Sequence, residues 1–278
     1  MRATILGSGQ SMLNARRAGA SIFVERTSNA PGILLDCGPG SLERAQAAGI
    51  GLERVAAVFL SHLHFDHALA LAELLTRLAF GGREPPPVYG PAGTAQYASS
   101  AVEYARTQLR YLSGGRRLPL LGSVRVEEVA EGEPLGVAGF EVESVTVPHS
   151  EMLVAQARRV AGDGRVLVYS GDSGPASALM TAFARGADVL MHECYGRLAL
   201  ERYASRLDAQ GARSIKAAFA RSHSEVGSVS RIAAAARAGR LVLTHLLPTE
   251  EEAELAETAS REYAGPVIVA RDGLVVEV

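Results

Sequence analysis

Three histidines and one aspartate occupy a short segment of the chain, and their spacing suits metal binding. His62, His64, Asp66 and His67 fall within six residues, directly after the apolar run 55–60. Imidazole nitrogens and carboxylate oxygens are ligands for zinc and similar divalent ions. Alternate residues of an extended segment point the same way, so His62 and His64 can share one ion. Asp66 and His67 follow at a turn and can reach a second ion; the alternative is a solvated polar loop without chemistry.

Three further candidate ligands lie where other apolar strands end. His149 and Asp172 each follow a strand, and His245 ends a third. Loops at strand ends are common places for functional residues because the rigid sheet positions them. Each of the three alone could be an ordinary loop residue, but with the first cluster they provide seven ligands. Seven ligands suffice for two ions if one carboxylate bridges them.

The segments that must position these side chains are short apolar strands and helices separated by glycines. Strands are predicted at residues 2–6, 21–25, 32–36, 55–60, 88–89, 123–129, 135–147, 152–160, 166–170, 189–192, 241–245, 267–270 and 274–278. Helices are predicted at residues 41–48, 68–80, 94–112, 176–185, 224–238 and 250–263. Strands followed by helices occur twice along the chain, a pattern that two sheets packed face to face with helices outside would satisfy. We therefore expect an α/β (α+β) fold with a single domain over residues 1–278.

Composition excludes several classes of protein. The 278 residues are 47% hydrophobic and 21% charged, which excludes disorder as the main state. Only two cysteines are present, Cys37 and Cys194, so a disulfide scaffold is excluded and both are expected as free thiols. No apolar run approaches the roughly 18 residues of a membrane helix, and the first residues lack the apolar part of a secretory signal. We therefore expect a cytoplasmic protein with no membrane partner. The net charge of −2 is unlike that of proteins that depend on nucleic-acid backbone contacts.

The pattern His-x-His-x-Asp-His at residues 62–67 resembles the mark of the metallo-β-lactamase superfamily, and the resemblance covers essentially the whole chain. It implies a four-layer αβ/βα sandwich of two mixed β-sheets with helices outside, and a dinuclear metal site at one edge. Two zinc ions are expected, with manganese or iron as alternatives. The resemblance assigns three ligands to each ion, namely His62, His64 and His149 to one and Asp66, His67 and His245 to the other. Asp172 would bridge the ions, and Asp36 would be structural rather than a ligand.

Two later segments narrow the resemblance to the ribonuclease Z group and to related cyclic-nucleotide phosphodiesterases and arylsulfatases. Residues 191–194 and 222–225 are similar to the H-E-A-T and H-S-T signatures of that group. There, the second signature's histidine protonates the leaving oxygen, and the glutamate of the first signature orients it. The resemblance therefore makes His223 the general acid and Glu193 its orienting carboxylate, and Asp66 would hold the nucleophile. A cationic imidazole suits a leaving alkoxide, whereas the alternative is a histidine beside a helix start without chemistry.

Two departures from the ribonuclease Z group count against processing of tRNA 3′ ends. That group inserts a long arm, which grips the tRNA elbow, between its third and fourth metal motifs. Here only 22 residues separate His149 from Asp172, and Glu225 stands where threonine is usual. The sequence thus predicts a dinuclear-metal phosphodiesterase for a small phosphodiester, such as a cyclic nucleotide, or a short nucleic-acid end. The alternatives are an arylsulfatase, lactonase or other ester hydrolase, and, less favoured, a tRNA nuclease or a non-catalytic metal-binding protein.

Four side chains near the predicted site are candidates for contact with a substrate phosphate. They are Arg16, Arg17, Ser173 and His223. All four belong to segments close to the predicted ligands, so the set suits one or two phosphates rather than an extended backbone. We therefore expect substrate binding to depend only weakly on salt, because few counterions are released.

The long helix predicted at residues 94–112 carries Tyr97, Tyr104 and Tyr111 on one face. Packing of these rings in the core is the simpler interpretation, and a contact between subunits is the other. The absence of tryptophan weakens the interface interpretation slightly, because aromatic residues are enriched at interfaces. For the protein as a whole we expect a homo-oligomer, most simply a dimer.

Overall fold

Strands from the first half of the chain and its last strand form one mixed sheet. The computed structural model describes residues 1–114, 121–175 and 177–278. The strands of this sheet are β1 (Arg2–Gly7), β2 (Ser21–Glu25), β3 (Gly32–Leu35), β4 (Val55–Phe59), β5 (Val88–Gly90), β6 (Val126–Glu128) and β14 (Val275–Glu277). Their order across the sheet is β14-β1-β2-β3-β4-β5-β6. Pairs from β14 to β3 are antiparallel, and pairs from β3 to β6 are parallel.

The second half of the chain repeats this arrangement in a second mixed sheet. Its strands are β7 (Leu135–Val137), β8 (Phe140–Val147), β9 (Ala155–Gly162), β10 (Arg165–Tyr169), β11 (Val189–Glu193), β12 (Leu241–Thr244) and β13 (Val267–Val269). Their order is β13-β12-β11-β10-β9-β8-β7. Pairs from β7 to β10 are antiparallel, and pairs from β10 to β13 are parallel. The carboxyl ends of β10, β11 and β12 therefore meet at one edge.

Helices cover the outer face of each sheet. In the described residues they are α1 (Ser41–Ala47), α2 (Phe65–Ala68), α3 (Leu71–Phe80), α4 (Thr94–Ser113), α5 (Ser177–Phe183), α6 (Arg197–Ala204), α7 (Ala209–Ser222), α8 (Val226–Ala236) and α9 (Glu252–Ser260). Apolar side chains of α3 and α4, such as Leu74 and Leu109, belong to a buried cluster with the first sheet. Ile232 of α8 and Leu255 of α9 belong to a cluster with the second sheet. These four helices thus bury an apolar stripe against a sheet, whereas α6 and α7 share a smaller cluster that includes Leu200 and Phe219.

A third buried cluster lies between the sheets. Ile5 and Phe59 of the first sheet belong to it together with Leu167 and Met191 of the second. Alternate residues of a strand point to opposite faces, so each sheet presents apolar side chains both to its partner sheet and to its helices. The layers are therefore helix, sheet, sheet and helix. The predicted αβ/βα sandwich of two mixed sheets with helices outside is confirmed.

Several element predictions differ from the structure. Helices α6 and α7 were not predicted from the sequence. The strand predicted at residues 152–160 begins only at Ala155. The helix predicted at residues 176–185 is observed as α5, and its first residue, Ala176, lies outside the described residues. The segment between His149 and Asp172 is the β9–β10 hairpin, as expected for a chain without an inserted arm.

Two of the three tyrosines of α4 lie outside the core, whereas Tyr97 is partly buried against the cluster of the first sheet. The buried face of this helix consists of small and apolar residues such as Ala98, Ala105 and Leu109. Tyr104 and Tyr111 are 57% and 75% exposed. The core interpretation is therefore wrong for these two rings, because alanines let the helix pack closely on the sheet and leave the tyrosines on its outer side. The subunit contact stays a prediction.

Within the described part of the chain, every helix is too short or too polar to traverse a lipid bilayer.

Candidate metal centre

Loops that follow strands of both sheets bring all seven predicted ligands to one edge of the sandwich. Residues 62–67 follow β4, and His149 follows β8. Asp172 follows β10, and His245 follows β12. Six of the seven side chains are buried and the seventh, His64, is half-buried. The sheet edge therefore collects histidines and carboxylates from segments more than 170 residues apart in the chain.

The first ligand group consists of His62, His64, His149 and Asp172, whose donor atoms lie within 4.8 Å of one another. Nδ1 of His64 lies 2.9 Å from Nε2 of His62 and 3.1 Å from Nε2 of His149. Oδ2 of Asp172 lies 3.8 Å and 3.6 Å from the same two Nε2 atoms. Ligand atoms held tetrahedrally at about 2.1 Å from a zinc ion are about 3.4 Å apart. The group has the dimensions of a zinc site.

The second ligand group consists of Asp66, His67 and His245, with Asp172 beside it. Nε2 of His67 and Nε2 of His245 are 3.1 Å apart. Oδ2 of Asp66 lies 3.3 Å from the His245 nitrogen and 3.7 Å from the His67 nitrogen. Oδ1 of Asp172 lies 3.1 Å and 3.2 Å from the nitrogens of His67 and His245. This group also has the dimensions of a site for one ion.

Asp172 faces both groups, with one carboxylate oxygen toward each. Its Oδ1 is buried and has no hydrogen-bond partner among the described residues. Burial by itself would raise the pKa of this carboxyl, but His245 and His67 lower it well below its usual value, so the group is ionised. A buried, ionised oxygen without a partner is costly unless a cation binds it. The donor set and this oxygen therefore fit a pair of divalent ions bridged by Asp172.

Hydrogen bonds behind the cluster fix which ring nitrogen faces the ions. Nδ1 of His67 donates to Oδ2 of Asp36 at 2.7 Å, and Nδ1 of His149 donates to the carbonyl oxygen of Ser222 at 2.8 Å. In both rings Nε2 is then the nitrogen that faces the cluster and can bind a metal. Burial lowers the pKa of His62 well below its usual value and keeps that ring neutral, which is also the metal-binding form.

Asp36 is the anchor of this supporting network. Its carboxylate accepts hydrogen bonds from the backbone nitrogen of Ser61 at 2.6 Å, the hydroxyl of Ser61 at 2.8 Å and the hydroxyl of Tyr169 at 2.7 Å. Its backbone lies in the left-handed region with φ 61°, which aspartate tolerates better than most residues. Asp36 thus lies behind His67 and outside both ligand groups. The role of Tyr169 was not predicted from the sequence.

Arg158, on β9, is a buried cation that the sequence analysis overlooked. Its guanidinium donates to the carbonyl oxygen of Leu60 at 2.9 Å and to Oε1 of Gln156 at 2.7 Å. The backbone nitrogen of Gln156 donates to the carbonyl oxygen of Ser61 at 2.9 Å. Desolvation lowers the pKa of Arg158 to about 10, with the carboxylate of Asp36 opposing that shift. Two adjacent arginines on one strand were the available signal, because neighbours on a strand point to opposite faces.

His223 lies beside the cluster and is held by a carboxylate of its own. Its Nδ1 lies 3.3 Å from Oε1 of Glu193 and 4.0 Å from Oδ2 of Asp172. Burial alone would lower the pKa of His223, but the charge and hydrogen bond of Glu193 outweigh it and raise the pKa to about 9. The ring is therefore cationic at neutral pH. Its nitrogen is also close enough to Asp172 and His245 to form a third possible ligand group with them.

Comparison with known proteins places the chain in a family. A model of the β-lactamase superfamily domain matches residues 32–246, which include all seven predicted ligands, Glu193 and His223. The chain belongs to the β-lactamase superfamily. It is a hydrolase of the metallo-β-lactamase fold, as the pattern at residues 62–67 indicated. Ribonuclease Z of Mycolicibacterium gilvum is 33% identical over 251 residues, which cover 88% of this chain and 84% of that protein.

Solved structures share the fold of this superfamily member. The metallo-β-lactamase fold protein YhfI from Bacillus subtilis is similar with a TM-score of 0.74 and 22% identity, covering 100% of this chain and 99% of that one. The short form of human tRNase Z is similar with a TM-score of 0.70 and 22% identity, covering 100% and 99%. At these identities the likeness concerns the fold alone.

Two of the predicted phosphate contacts are engaged elsewhere in this superfamily member. The guanidinium of Arg17 donates to the hydroxyl of Ser8 at 2.7 Å and to the carboxylate of Glu252 at 3.2 Å. Ser173 is fully buried and its hydroxyl donates to the carbonyl oxygen of Gly174. The structure therefore does not support either side chain as a phosphate contact, because Arg17 is held by a carboxylate distant in sequence and the buried hydroxyl of Ser173 is bonded to the adjacent carbonyl. Arg16 is exposed, and His223 lies at the cluster.

His192 precedes Glu193 but takes no part in the cluster. Its Nδ1 lies 2.7 Å from the carbonyl oxygen of Glu193, and burial lowers its pKa. Its Nε2 is buried without a hydrogen-bond partner among the described residues. His192 thus lies outside every possible ligand group of the described residues, and only one of its two nitrogens has a hydrogen-bond partner there.

An open cavity of about 680 Å³ lies against the cluster. We call it the His223 cavity, because His223 lines it together with His64 and His149. Ile215 and Phe219 of α7 contribute an apolar wall. Helix α7, which was not predicted from the sequence, is therefore a wall of the candidate site, and Phe219 is its only buried residue.

Proposed function

We propose that this superfamily member is a dinuclear-metal phosphodiesterase with His223 as general acid. The observation that carries the proposal is the pairing of His223 with Glu193 at 3.3 Å, beside Asp172. Glu193 belongs to none of the possible ligand groups in the described residues, so it is available to hold a cationic imidazole rather than a metal. A proton donor at this place serves a poor leaving group, which a phosphodiester has.

The seven predicted ligands, Asp172 among them, would hold the two ions. The first would be held by His62, His64 and His149, the second by Asp66, His67 and His245, with Asp172 shared between them. Zinc fits this set of nitrogen and oxygen donors, and manganese or iron are the alternatives. When bound, such ions lower the pKa of a coordinated water and neutralise charge on phosphate oxygens.

The protein's own groups then divide the work of one hydrolysis. Asp66 accepts a hydrogen bond from the attacking water and orients it. His223 gives its proton to the departing alkoxide, which leaves as an alcohol. Glu193 holds His223 in place, and its own Oε1 is fixed by the backbone nitrogens of Ser173 and Ser224 at 3.2 Å and 3.1 Å. A positioned proton donor of this kind contributes about 10²–10⁴ in rate.

A small phosphodiester or an exposed nucleic-acid end fits this chain as substrate. The β9–β10 hairpin joins its strands at Asp163 and Gly164, so no arm reaches from it toward a distant part of a folded RNA. Processing of tRNA is the second candidate, because a relative of 33% identity carries the name ribonuclease Z. The two candidates differ in substrate size rather than in chemistry.

One assay separates the phosphodiesterase from other ester hydrolases. The purified protein, supplied with Zn²⁺ or Mn²⁺, is given bis(p-nitrophenyl) phosphate, p-nitrophenyl sulfate and a lactone in parallel. We expect hydrolysis of the phosphodiester at a rate well above that of the sulfate and the lactone. Faster hydrolysis of the sulfate or the lactone would make the chain an arylsulfatase or lactonase. Metal binding without any hydrolysis would support a non-catalytic metal protein.

We also infer a homodimer. The exposed rings of Tyr104 and Tyr111 on α4 support a subunit contact on that side of the molecule. Sedimentation equilibrium should give twice the mass of the chain, and Tyr104→Ala with Tyr111→Ala should shift the protein toward monomer. A monomeric wild-type protein at micromolar concentration would contradict the inference.

A further inference from the structure

The loop between β1 and β2 divides the space in front of the metal centre into two cavities. This β1–β2 loop spans residues 8–20, and its tip, Leu13, is fully exposed. On one side lies the His223 cavity. On the other side lies a cavity of about 410 Å³, which we call the Phe65 cavity, lined by Phe65, Asp66, Arg44 and Leu13 among others. Residues 10–12 of the loop line both cavities.

The base of the β1–β2 loop is fixed by hydrogen bonds. Asp272 accepts hydrogen bonds from the backbone nitrogen of Ser8 at 3.0 Å and from that of Ala18 at 2.7 Å. Gln10 is buried, and its side chain donates to the carbonyl oxygen of His245 at 3.4 Å. These contacts hold both ends of the loop and tie residue 10 to the metal centre.

The two cavities present different groups to a substrate. The general acid His223 lines only the His223 cavity. Asp66, which would orient the attacking water, lines only the Phe65 cavity. In a displacement at phosphorus the entering and departing oxygens lie roughly in line on opposite sides of the phosphorus atom. The leaving alcohol therefore belongs in the His223 cavity, away from Asp66.

A linear phosphodiester has a second organic group, on the ester oxygen that stays attached to phosphorus. With the leaving group in the His223 cavity, the retained group has the Phe65 cavity available, on the other side of the β1–β2 loop. A cyclic diester carries both ester oxygens on one organic group and cannot place parts of it on the two sides of the loop at once. The divided site therefore favours linear over cyclic phosphodiesters.

Phe65 gives the second cavity its chemistry. It stands between the predicted ligands His64 and Asp66, and its ring is 52% exposed. An exposed aromatic ring held between two fixed residues is a platform on which a nucleobase can stack. Arg44 is also at this cavity, where its Nε donates to Oδ2 of Asp272 at 3.2 Å and its side chain remains 43% exposed.

We propose that the Phe65 cavity binds the nucleoside that stays on the phosphate, with its base stacked on Phe65. The substrate is then a linear phosphodiester of a nucleoside, and the inference rests on the proposed phosphodiesterase function. In the reaction, the oxygen of water bonds to phosphorus and the bond from phosphorus to the leaving alkoxide oxygen breaks. His223 supplies the proton that completes the alcohol and regains one from solvent in place of the proton that the attacking water gives up. The other proton of water stays on the nucleoside monophosphate or dissociates from it.

The test compares two substrates with the same leaving group. Thymidine 5′-(p-nitrophenyl phosphate) and methyl p-nitrophenyl phosphate both release p-nitrophenolate, but only the first retains a base. We expect Phe65→Ala to lower the ratio of their kcat/KM values by roughly 5- to 100-fold, the range that stacking of one base contributes. The ratio cancels any loss of activity common to both substrates. Phe65→Tyr should keep the ratio of the wild type.

Phe80→Ala is the matched control. Phe80 is 56% exposed, nearly the same as Phe65, and lines neither cavity in front of the metal centre. It should leave the substrate ratio unchanged. Equilibrium dialysis of thymidine 5′-phosphate and of inorganic phosphate gives a second readout without turnover. Phe65→Ala should weaken binding of the nucleotide by the same factor, without weakening that of inorganic phosphate.

Two failures are distinguishable. If the wild type hydrolyses both diesters and Phe65→Ala leaves their ratio unchanged, the Phe65 cavity is not the nucleoside site and the phosphodiesterase assignment stands. If the metal-loaded wild type hydrolyses neither diester, the proposed function is wrong. In that case the dialysis tests the nucleoside site independently of hydrolysis. Equal binding of thymidine 5′-phosphate by the wild type and by Phe65→Ala would show that the Phe65 cavity is not the nucleoside site.

Discussion

Nδ1 of His223 lies 3.3 Å from Oε1 of Glu193, and the same oxygen accepts hydrogen bonds from the backbone nitrogens of Ser173 and Ser224. The carboxylate is thus fixed by the loop after β10 and by the segment between α7 and α8. Glu193 itself ends β11, the strand beside β10 and β12. This carboxylate therefore holds the ring of His223 with its Nδ1 4.0 Å from Oδ2 of Asp172.

Removal of the acid should separate catalysis from metal binding. We expect His223→Ala to retain its metal and to lose about 10²–10⁴ in kcat on a diester with an alkyl leaving group. The loss should be smaller with p-nitrophenolate, which departs without a proton. Glu193→Gln should show a weaker form of the same pattern. Metal analysis accompanies the kinetics, and loss of metal from His223→Ala would make that residue a ligand.

The bridging carboxylate should matter more for metal content than a ligand of one ion. Protein prepared without chelator is expected to contain about two metal ions per chain. Asp172→Ala should lose both ions, because one of its oxygens faces each group, whereas His64→Ala should mainly empty or disorder the first group. Mass spectrometry of the metals under native conditions checks this. Wild-type protein without metal, and without activation by Zn²⁺ or Mn²⁺, would refute the site.

Loss of the charge behind His67 should weaken metal binding without removing a ligand. Asp36→Asn keeps a side chain that tolerates the positive φ, but it replaces a carboxylate that orients the ring. Supporting groups of this kind are worth about 10- to 100-fold in metal affinity. Competition with a chromogenic zinc chelator measures the change. Asp163→Asn is the matched control, since Asp163 also has a positive φ but pairs with Arg26 on the surface.

Glu250 should make the stability of the fold depend on pH. Burial raises the pKa of its carboxyl to about 7, although the backbone nitrogen of Gly196 donates to it at 2.9 Å. Because the pKa of Glu250 is higher in the native state than in the unfolded chain, the free energy of unfolding decreases as pH rises from about 4.5 to 7. Glu250→Gln removes this loss and should be more stable than wild type by about 1–3 kcal/mol at pH 8, but not at pH 4.5.

Urea unfolding in the presence of a chelator measures this difference free of metal effects. Glu251→Gln is the control, because Glu251 is the neighbouring residue and is exposed. An equal gain in stability at both pH values would show that the pKa of Glu250 is not raised in the native state.

Substrate size can be read from salt dependence. The kcat/KM for small diesters should be nearly independent of salt concentration between about 50 and 200 mM. The reason is that a small diester offers few phosphates, so few counterions are released on binding. Precursor tRNA should be cleaved poorly or without preference for one position. Efficient cleavage at a tRNA 3′ end, with a steep fall in affinity as salt rises, would favour the ribonuclease candidate.

The positions of the ligands were predictable because each follows an apolar strand. Strands β4, β8, β10 and β12 each end in buried residues, and the predicted ligands follow where these apolar runs stop. Helix α7 was not predictable in this way, since Phe219 is its only buried residue and the helix has no continuous apolar stripe. Its available signal was Asp208, an N-cap residue whose carboxylate accepts from the backbone nitrogen of Gly211.

The contacts of Arg17 and Arg158 could not be predicted, because they join residues that are distant in sequence. Arg17 was predicted as a phosphate ligand from its place in the first loop, but its partners Glu252 and the carbonyl of Ala270 are more than 230 residues away. Arg158 reaches Leu60 across 98 positions of the sequence. Such pairings depend on which strand faces which across the two sheets, and local sequence patterns do not contain that information.

Each ligand group draws on both sheets. His62 and His64 follow a strand of the first sheet, and His149 and Asp172 follow strands of the second, while His67 and His245 are 178 positions apart. Neither group can therefore assemble before the two halves of the chain have docked. An ion that binds only the assembled group stabilises docking by mass action. Metal binding would therefore add to the free energy of unfolding of the docked halves, and not only to catalysis.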